Sequence, residues 1–396
     1  MNSPHGEYWM DEPMSAEDSK PGPLAGLRFI EMAGIGPAPF ACMVLADLGA
    51  TGIRIESPRP GLSLGAPQRD ITRRGRPSVV VDLAQPAGVK LLLQLVSQAD
   101  VLVEGFRPGV MERLGAGPTE CLARQPRLVY GRMTGWGQEG PFARVAGHDL
   151  TYLAAAGVLA HVGRRGQPPT PPLNLVADYG GGAMLLLVGL LAALWESRAS
   201  GQGQVVDAAM IDGAALLMSM YHSLSDQDLW STERGVNLLD SGAPFYDVYR
   251  TADDGWLAVA CLEPAFYQSW LEVAGLAERG LPEQFDVAQW PVLRKAFEQA
   301  VASKSRADWA ELLAGADACA EVVLSMTEAA SHPQLAARAT MVTHDGLLQA
   351  AAAPRFSRTP AATSLHMSST DGSVFEAWGL APDAIVDLRA AGVISG

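Results

Sequence analysis

The sequence predicts an α/β protein with a large, doubly wound parallel-sheet domain and a smaller α+β domain. Two patterns support this prediction. Apolar, strand-like runs alternate with helical segments over residues 27–133, which is typical of a parallel sheet with crossover helices. A hairpin pattern over residues 244–260 is followed by helical segments to about residue 330, which is typical of a separate α+β unit. A chain of 396 residues is long enough for both domains.

The predicted organisation has five parts. Residues 1–22 contain many Ser, Pro, Gly and acidic residues and little apolar periodicity, so they are interpreted as a flexible extension. The other parts are the large domain (23–225), a linker (226–243), the small domain (244–330) and a C-terminal segment (331–396) that returns to the large domain.

The first predicted βαβ unit contains an unusual turn. The unit consists of a strand at 27–33, a helix at 40–48 and a strand at 53–56. The turn Gly34–Pro39 is similar to a dinucleotide-binding fingerprint. However, Pro37 and Pro39 stand where a phosphate-binding loop needs backbone N–H groups. We therefore reject a nicotinamide cofactor.

The same alternation continues along the chain. Strands are predicted at 78–82, 100–104 and 128–133, with helices at 86–97 and around Arg113. A doubly wound sheet binds ligands at the carboxyl ends of its strands. These ends carry Ser57, residues 81–84 and 104–107, and the glycine-rich loop 134–140. Arg107 and Arg113 are expected to hold phosphate oxygens there.

Two ionisable residues stand at predicted helix starts. His148 precedes the apolar run 150–159, and Asp178 precedes a glycine triplet and an apolar helix at 183–195. Helix N-termini favour developing negative charge, so the two residues suggest proton transfer beside an anionic intermediate. The alternatives are that Asp178 is only an N-cap and that His148 and Asp149 form a structural hydrogen-bonded pair.

The charge composition excludes some classes of function. The net charge of −14 argues against general nucleic-acid binding. Residues 51–135 nevertheless contain 12 Lys+Arg and 7 Asp+Glu, which indicates either a site for a specific polyanion or a solvated surface.

No apolar run reaches the roughly 20 residues of a membrane span. The four scattered cysteines read as free thiols without metal-ligand spacing, and no signal peptide is recognised, so we expect a cytoplasmic protein without a metal.

Several motifs between residue 23 and Arg358 belong together. They include Gly34–Pro39, Glu104–Gly109, Gly147–Tyr152, Pro172–Asp178 and Gly203–Ala208. As a set they resemble the family III CoA-transferases, also called the CaiB/BaiF type, and in particular the α-methylacyl-CoA racemases of that family. The resemblance implies a large Rossmann-like domain and a small domain in an interlocked homodimer, with the active site between the large domain of one subunit and the small domain of the other.

The resemblance also separates two chemistries. The transferases use a carboxylate at the position of Asp178 as a nucleophile and generally lack a histidine at the position of His148. The racemases have both residues, as this chain does. The resemblance therefore implies interconversion of (R)- and (S)-2-methylacyl-CoA thioesters by proton transfer through an enolate. The alternatives are a CoA-transferase that forms an acyl-anhydride at Asp178, and a catalytically silent CoA-binding protein.

Each expected site residue has a role in this scheme. His148 and Asp178 are the two bases, while Asp149 and the partner subunit's Glu263 hold the imidazole ring. No separate cofactor is expected, because CoA is part of the substrate.

The chain departs from the family pattern at two positions expected near the nucleotide phosphates: Ser57 and Ala84 stand where basic residues are common, and Arg59 is a possible substitute. The expected CoA contacts are Val81, Asp82, Leu83, Ala84, Gly105, Arg107, Arg113, Gly147, Leu150, Thr151 and Tyr152, and the expected acyl pocket is Ile35, Pro39, Phe40, Met210 and Tyr246.

Overall fold

A computed structural model describes residues 22–59, 61–62, 65–363 and 373–395. The predicted N-terminal extension lies outside the described residues apart from Gly22. By contacts, the chain forms two compact units. Of the described residues, the first unit comprises those from Gly22 to Gly147 together with those within 177–213 and 339–395, and the second comprises 148–176 and 214–338.

This division differs from the predicted domain boundaries. Residues 148–176 and 214–225 group with the second unit rather than with a continuous large domain, and 331–338 also belong to the second unit. The reason is that the chain passes between the units several times. A local apolar pattern shows that a helix has a buried face, but it does not show which unit that face packs against.

Twelve strands are assigned in the described residues, and β1 to β5 lie within two residues of the predicted bounds. They are β1 (Arg28–Met32), β2 (Thr51–Glu56), β3 (Ser78–Val81), β4 (Val101–Glu104), β5 (Val129–Thr134), β6 (Gln204–Ala209), β7 (Tyr246–Arg250), β8 (Trp256–Ala260), β9 (Ala320–Val322), β10 (Met341–His344), β11 (Leu347–Ala350) and β12 (Ile394–Ser395).

The helices connect these strands. They are α1 (Pro37–Asp47), α2 (Pro86–Val96), α3 (Val110–Leu114), α4 (Pro118–Arg124), α5 (Asp149–Ala155), α6 (Met184–Ser200), α7 (Met210–Leu217), α8 (Ser219–Asp226), α9 (Pro264–Val273), α10 (Trp290–Val301), α11 (Arg306–Leu313), α12 (Met326–Ala329), α13 (Pro333–Ala337), α14 (Ser373–Ala377) and α15 (Pro382–Ala390). A π-helix, Leu175–Ala183, leads directly into α6. The apolar pattern over 211–224 predicts one helix, but the structure divides this stretch into α7 and α8 at Met218.

The first unit is built on a seven-stranded sheet in the order β12-β3-β2-β1-β4-β5-β6. Neighbours from β3 to β6 are parallel, and Ile30 of β1 pairs with Ile53 of β2 and Leu102 of β4. The order reverses between β1 and β4, as in doubly wound folds. The predicted fold class is therefore confirmed. The C-terminal strand β12 adds to β3 in the antiparallel sense.

The two faces of β1 differ in chemistry. Ile30 and Met32 join an apolar cluster that includes residues of α2, α4, α14 and α15. Because successive side chains on a strand point to opposite faces, Glu31 lies on the other face, on the side of α1. Glu31 is fully buried there.

The helix over Leu175–Ser200 has 26 residues, more than the predicted run at 183–195, because it includes the π-helical turns. By length and composition alone it is the one helix in the described part of the chain that could cross a membrane. Core helices of globular proteins pass the same test. Leu186 and Leu190 are fully buried here, and a Cβ at Gly131 of β5 would lie 3.2 and 2.9 Å from their methyl groups.

The second unit has a three-stranded antiparallel sheet in the order β7-β8-β9. The predicted hairpin is present as β7 and β8. Its core is strongly aromatic: Trp270 lies 5.6 Å from both Phe297 and Trp309, measured between ring centroids.

Candidate active site

Asp178 lies within a helix rather than before one. The prediction placed it ahead of a helix that starts at residue 183, but the π-helix Leu175–Ala183 puts it in the first helical turn, half-buried. The glycine triplet that follows Asp178 lowers helix propensity, so the sequence pattern predicted a later start. Packing overrides propensity here. A Cβ at Gly213 of α7 would lie only 1.9 Å from the carbonyl oxygen of Gly181, so the two helical segments meet backbone to backbone.

The turn after β1 closes against the Asp178 carboxylate. Gly36 adopts φ +74°, a conformation that L side chains rarely adopt, and a Cβ there would lie 3.2 Å from Asp178 Oδ2. The Phe40 ring stacks on Tyr179 with centroids 4.6 Å apart. The structure thus brings the Gly34–Pro39 turn and Phe40 to the helix that bears Asp178. This turn follows β1 at the point where the sheet order reverses, the usual ligand position in such sheets.

Two other expected pocket residues belong to the same unit. Met210, at the start of α7, packs close to the π-helix: its Cγ lies 3.0 Å from where a Cβ of Gly182 would stand. Ile35 is 46% exposed, so its side chain is accessible beside the turn. Tyr246 belongs to the second unit.

The loop after β4 is held by a buried acid. Glu104 Oε2 accepts a hydrogen bond from the Phe106 N–H at 2.7 Å, and Oε1 accepts one from Arg132 Nε at 2.9 Å. Burial raises the pKa of Glu104 although both donors oppose the shift. Gly105 itself lies close to α1, since a Cβ there would be 3.7 Å from the Ala38 Cβ.

The two expected phosphate-binding arginines follow this loop. The Arg107 carbonyl accepts from the Val110 N–H at 3.1 Å at the start of α3, and the Arg113 N–H donates to the Gly109 carbonyl at 3.2 Å. The Arg113 side chain folds back towards Gly109, with Nη1 3.3 Å from where a Cβ of that glycine would stand. The loop and the short helix therefore place both arginines just beyond the β4 end.

The end of β3 presents backbone rather than side chains. Val81 is buried in the core, so its side chain is not accessible from solvent. Asp82 closes the next turn by accepting from the Ala84 N–H at 3.0 Å and from Gln85 Nε2 at 3.1 Å. The hydrogen bond from Gln85, the Ala84 N–H and the charge of Arg59 lower the pKa of Asp82. Arg59 is exposed, and its N–H donates to Ser57 Oγ at 3.1 Å.

The start of α5 carries the expected second base. His148 is the exposed N-cap residue, and Asp149 behind it is only 5% exposed. The Thr151 hydroxyl accepts from the His148 N–H at 3.0 Å and donates to the His148 carbonyl at 2.7 Å, so Thr151 fixes the backbone that holds the imidazole. Leu150 is 41% exposed, and the Tyr152 side chain is buried. Gly147 is the last residue of the first unit before this segment.

Glu263 is the exposed N-cap residue of α9. Burial, followed by the charge of Glu263, raises the pKa of Cys319, which places that carboxylate close to the end of the loop before β9. Within the second unit the structure thus presents His148, Asp149 and Glu263 at helix starts. Asp178 and the expected arginines lie in the first unit.

Comparison with known proteins identifies the family. The model of "CoA-transferase family III" matches residues 24–367. The chain belongs to this family. The resemblance seen in the sequence motifs is therefore confirmed.

Two family III relatives are similar to this chain along nearly its whole length. The α-methylacyl-CoA racemase of Mus musculus is 42% identical over 372 residues, which cover 92% of this chain and 96% of that protein. The α-methylacyl-CoA racemase of Homo sapiens is 39% identical over 383 residues, covering 94% and 97%. The crystal structure of a CAIB/BAIF family protein from Brucella suis has the same fold, with a TM-score of 0.78, 24% identity and coverage of 90% of this chain and 99% of that one.

Two residues beside Asp178 are not singled out by the sequence pattern: Gly36, which faces its carboxylate, and Tyr179, which follows it in the chain. Gly36 enters the sequence analysis only as one position of the Gly34–Pro39 motif, and Tyr179 does not enter it at all. A signal for Gly36 was available, since a glycine between two short apolar segments before Pro37 suggests a left-handed turn position. Tyr179 had none, because its partner Phe40 is far away in sequence.

Proposed function

We propose that this family III chain is a racemase that interconverts the (R) and (S) forms of 2-methylacyl-CoA thioesters. One observation carries the proposal: the chain has both a histidine and a carboxylate at the expected positions, His148 and Asp178, and it is similar to two α-methylacyl-CoA racemases along nearly its whole length. The placement of His148 at an exposed helix start, and of Asp178 at the β1–β4 reversal of the sheet, is compatible with this chemistry.

The proposed reaction moves one proton at a time. His148 removes the α-proton from one face of the thioester, and the electron pair of that C–H bond passes to the thioester oxygen as an enolate. Protonated Asp178 then delivers a proton to the opposite face, which inverts the centre. The enzyme is left with a protonated histidine and an ionised aspartate, the form that accepts the other enantiomer. Backbone N–H groups near the start of the Asp178 helix would stabilise the enolate oxygen.

Asp149 and Glu263 are proposed as positioning residues. A carboxylate that accepts from an imidazole N–H fixes the tautomer and raises the basicity of the ring. Asp149 is adjacent to His148 and buried, which suits a fixed orientation. Glu263 is exposed at the start of α9, which suits a contact made across subunits.

CoA is proposed to lie along the strand ends of the first unit. Residues 81–84, Gly105, Arg107 and Arg113 follow β3 and β4 at the carboxyl edge of the sheet. Exposed Arg59 is close enough to Asp82 to contribute to its pKa shift, so it supplies a positive charge near this edge where Ser57 does not. The remaining contacts, Gly147, Leu150, Thr151 and Tyr152, would come from the segment around His148.

We further propose an interlocked homodimer. Helix α6 exposes an apolar stripe at spacings of four, three and four residues, which places the side chains on one helix face. Exposure of this size is a feature of surfaces that bind another chain. The stripe consists of Met184 (48% exposed), Val188 (60%), Leu191 (37%) and Trp195 (78%). Light scattering after size exclusion tests this proposal: a molecular mass of one chain at micromolar concentration would contradict it.

The cytoplasmic location stays a prediction, and the cysteines are compatible with it. All four are free thiols. Burial raises the pKa of Cys121 and of Cys261 to about 12, so neither is reactive at neutral pH.

The decisive experiment is incubation with (R)-2-methylacyl-CoA in deuterated water without any acceptor acid. We expect α-deuterium incorporation and loss of stereochemical purity, both abolished when His148→Ala and Asp178→Ala are combined. If no branched thioester exchanges, but CoA moves to a free acid once one is added, Asp178 is a transferase nucleophile instead. A protein with neither activity would be a silent CoA-binding relative.

A further inference from the structure

A buried cluster of charged residues lies beside the turn that faces Asp178. Glu31 of β1 is fully buried, and its carboxylate accepts hydrogen bonds from Arg54 and from Arg76. Both arginines are themselves buried, at 6% and 1% exposure. A carboxylate bridging two guanidinium groups in a protein core is uncommon, because each isolated charge is expensive to bury.

The two guanidinium groups continue from Glu31 to the turn. Arg54 Nη2 donates to the Gly34 carbonyl at 3.1 Å, and Arg76 Nη2 donates to the Pro39 carbonyl at 3.0 Å. These two carbonyls are the two ends of the Gly34–Pro39 turn. Glu31 therefore fixes both ends of the turn through planar donors whose geometry is rigid.

The turn needs such support. Pro37 and Pro39 already lie in the first turn of α1 and have no N–H group, so neither residue can donate a backbone hydrogen bond that would hold the segment in place. Gly36 lies in the middle of the turn, opposite the Asp178 carboxylate. A shift at either end of the turn would change the space around Asp178 Oδ2.

A second buried ion pair in the same unit provides a contrast. Asp47 of α1 accepts from Arg74 Nε at 3.1 Å, and both side chains are almost fully buried. Arg74 Nη2 also donates to Asp47, at Oδ2 and 2.5 Å, and Nη1 donates to Gln349 Oε1 and to the Ala350 carbonyl. The two ion pairs have similar burial and chemistry, but only the Glu31 cluster bonds to the carbonyls of the turn.

We propose that Glu31, Arg54 and Arg76 are positioning residues for Asp178: they hold the Gly34–Pro39 turn in the place that lets this one base reach the α-carbon. The proposal rests on the racemase function proposed above. Because the cluster supports Asp178 and not His148, its loss is expected to affect the exchange rates of the two enantiomers unequally.

The test measures α-proton exchange separately for each enantiomer of 2-methylacyl-CoA in deuterated water, at early times. In a two-base enzyme each base deprotonates one enantiomer, so Asp178→Asn and His148→Gln first show which enantiomer belongs to which base. Glu31→Gln is then expected to follow Asp178→Asn. Exchange of the Asp178 enantiomer falls about 10- to 100-fold, while exchange of the other stays within about twofold.

The matched control is Asp47→Asn, which makes the same carboxylate-to-amide change at a similarly buried arginine partner. We expect this variant to exchange both enantiomers in the wild-type ratio, even if it is less stable. If Glu31→Gln lowers both exchange rates equally, or neither, the positioning role is overturned. If the wild-type protein exchanges neither enantiomer, the proposed function fails instead, which is a different result.

A second variant covers the case in which Glu31→Gln does not fold. Arg76→Lys keeps the positive charge next to Glu31 but lacks the fork that also reaches Pro39. It is expected to show the same unequal loss in smaller degree. A folded Arg76→Lys enzyme that exchanges the two enantiomers in the wild-type ratio would contradict the proposal by itself.

Discussion

The two units bury large side chains in different ways. In the first, the face of β1 towards α1 contains Glu31 with Arg54 and Arg76, joined by directional hydrogen bonds. In the second, the core is a set of aromatic rings that include Trp270 and Trp309. Apolar packing is non-directional, whereas hydrogen bonds between charges fix angles as well as distances. Substitutions at Glu31, Arg54 or Arg76 should therefore change the geometry of the site, while those in the aromatic core of the second unit should mainly change stability.

The largest effect is expected from the aromatic core. Trp270 is fully buried against Phe297 and Trp309, so Trp270→Ala leaves a large cavity and should lower the free energy of unfolding of the second unit by about 3–5 kcal/mol. Urea unfolding followed by circular dichroism measures the loss. The folded fraction should keep the wild-type ratio of exchange between enantiomers. A changed ratio of exchange between the enantiomers would show that the aromatic core also sets the geometry of the site.

A smaller effect is expected at the contact of α7 with the π-helix. A Cβ at Gly213 would lie 1.9 Å from the Gly181 carbonyl oxygen, so Gly213→Ala forces the two backbones apart at a cost of about 1–3 kcal/mol. Because Asp178 is in the same π-helix, exchange activity should fall as well. Thermal unfolding and the exchange assay on one preparation measure both.

The control for this variant is Gly189→Ala in α6. There the nearest atom to the new Cβ is a methyl carbon of Val206, at 2.7 Å, which belongs to a side chain rather than to a backbone. We expect Gly189→Ala to retain activity, since Val206 can move without displacing Asp178. Similar losses of activity in both variants would mean that the π-helix is not specifically held by Gly213.

A gain in stability is expected at one position of the aromatic core. The Tyr267 hydroxyl is buried and has no hydrogen-bond partner among the described residues, and burial raises its pKa to about 12. Tyr267→Phe removes this unsatisfied group and should stabilise the second unit by about 1 kcal/mol. The control is Tyr249→Phe. The Tyr249 hydroxyl donates to the Pro244 carbonyl, so its removal should lower the stability of the second unit. Denaturant midpoints that move in the same direction for both variants would refute the assignment.

Sequence patterns predicted the first unit better than its active site. Strands β1 to β5 were placed to within two residues, because each is an apolar run bounded by Gly, Pro or polar residues. The sequence does not predict the π-helix because its glycines oppose helix formation, and its packing, including the backbone contact with Gly213, overrides that tendency. The partners of Glu31 lie 23 and 45 residues away in sequence, so no local pattern reveals that this acidic residue is buried and bridged.

The site residues divide in the same way. His148 and Asp178 were singled out because an ionisable group beside an apolar helix is a local pattern. The residues proposed to position Asp178 are recognisable only after the strands are paired, since β1, β2 and the segment before β3 bring Glu31, Arg54 and Arg76 together. The boundaries of the two units are also non-local: they depend on which helices pack together, not on the linker-like composition of residues 226–243.

The smallest effect is expected at an exposed ion pair of the second unit, where charge does not fix a site. Arg306 Nη2 lies 3.0 Å from Glu328 Oε1, and the Arg306 hydrogen bond, together with the Ser325 N–H and hydroxyl, lowers the pKa of Glu328 from 4.5 to about 2. A carboxyl group whose pKa is lower in the folded state contributes stability above its ordinary pKa and loses that contribution as the pH falls towards 2. The Arg306 and Glu328 side chains are 32% and 43% exposed, so solvent screens the pair and its contribution is small. Glu328→Gln should therefore be slightly less stable than wild type at pH 6, and the difference between their urea midpoints should shrink steadily between pH 4.5 and pH 2. A difference between the urea midpoints that grows on acidification would contradict this prediction. It would show that the Arg306–Glu328 pair does not stabilise the start of α12.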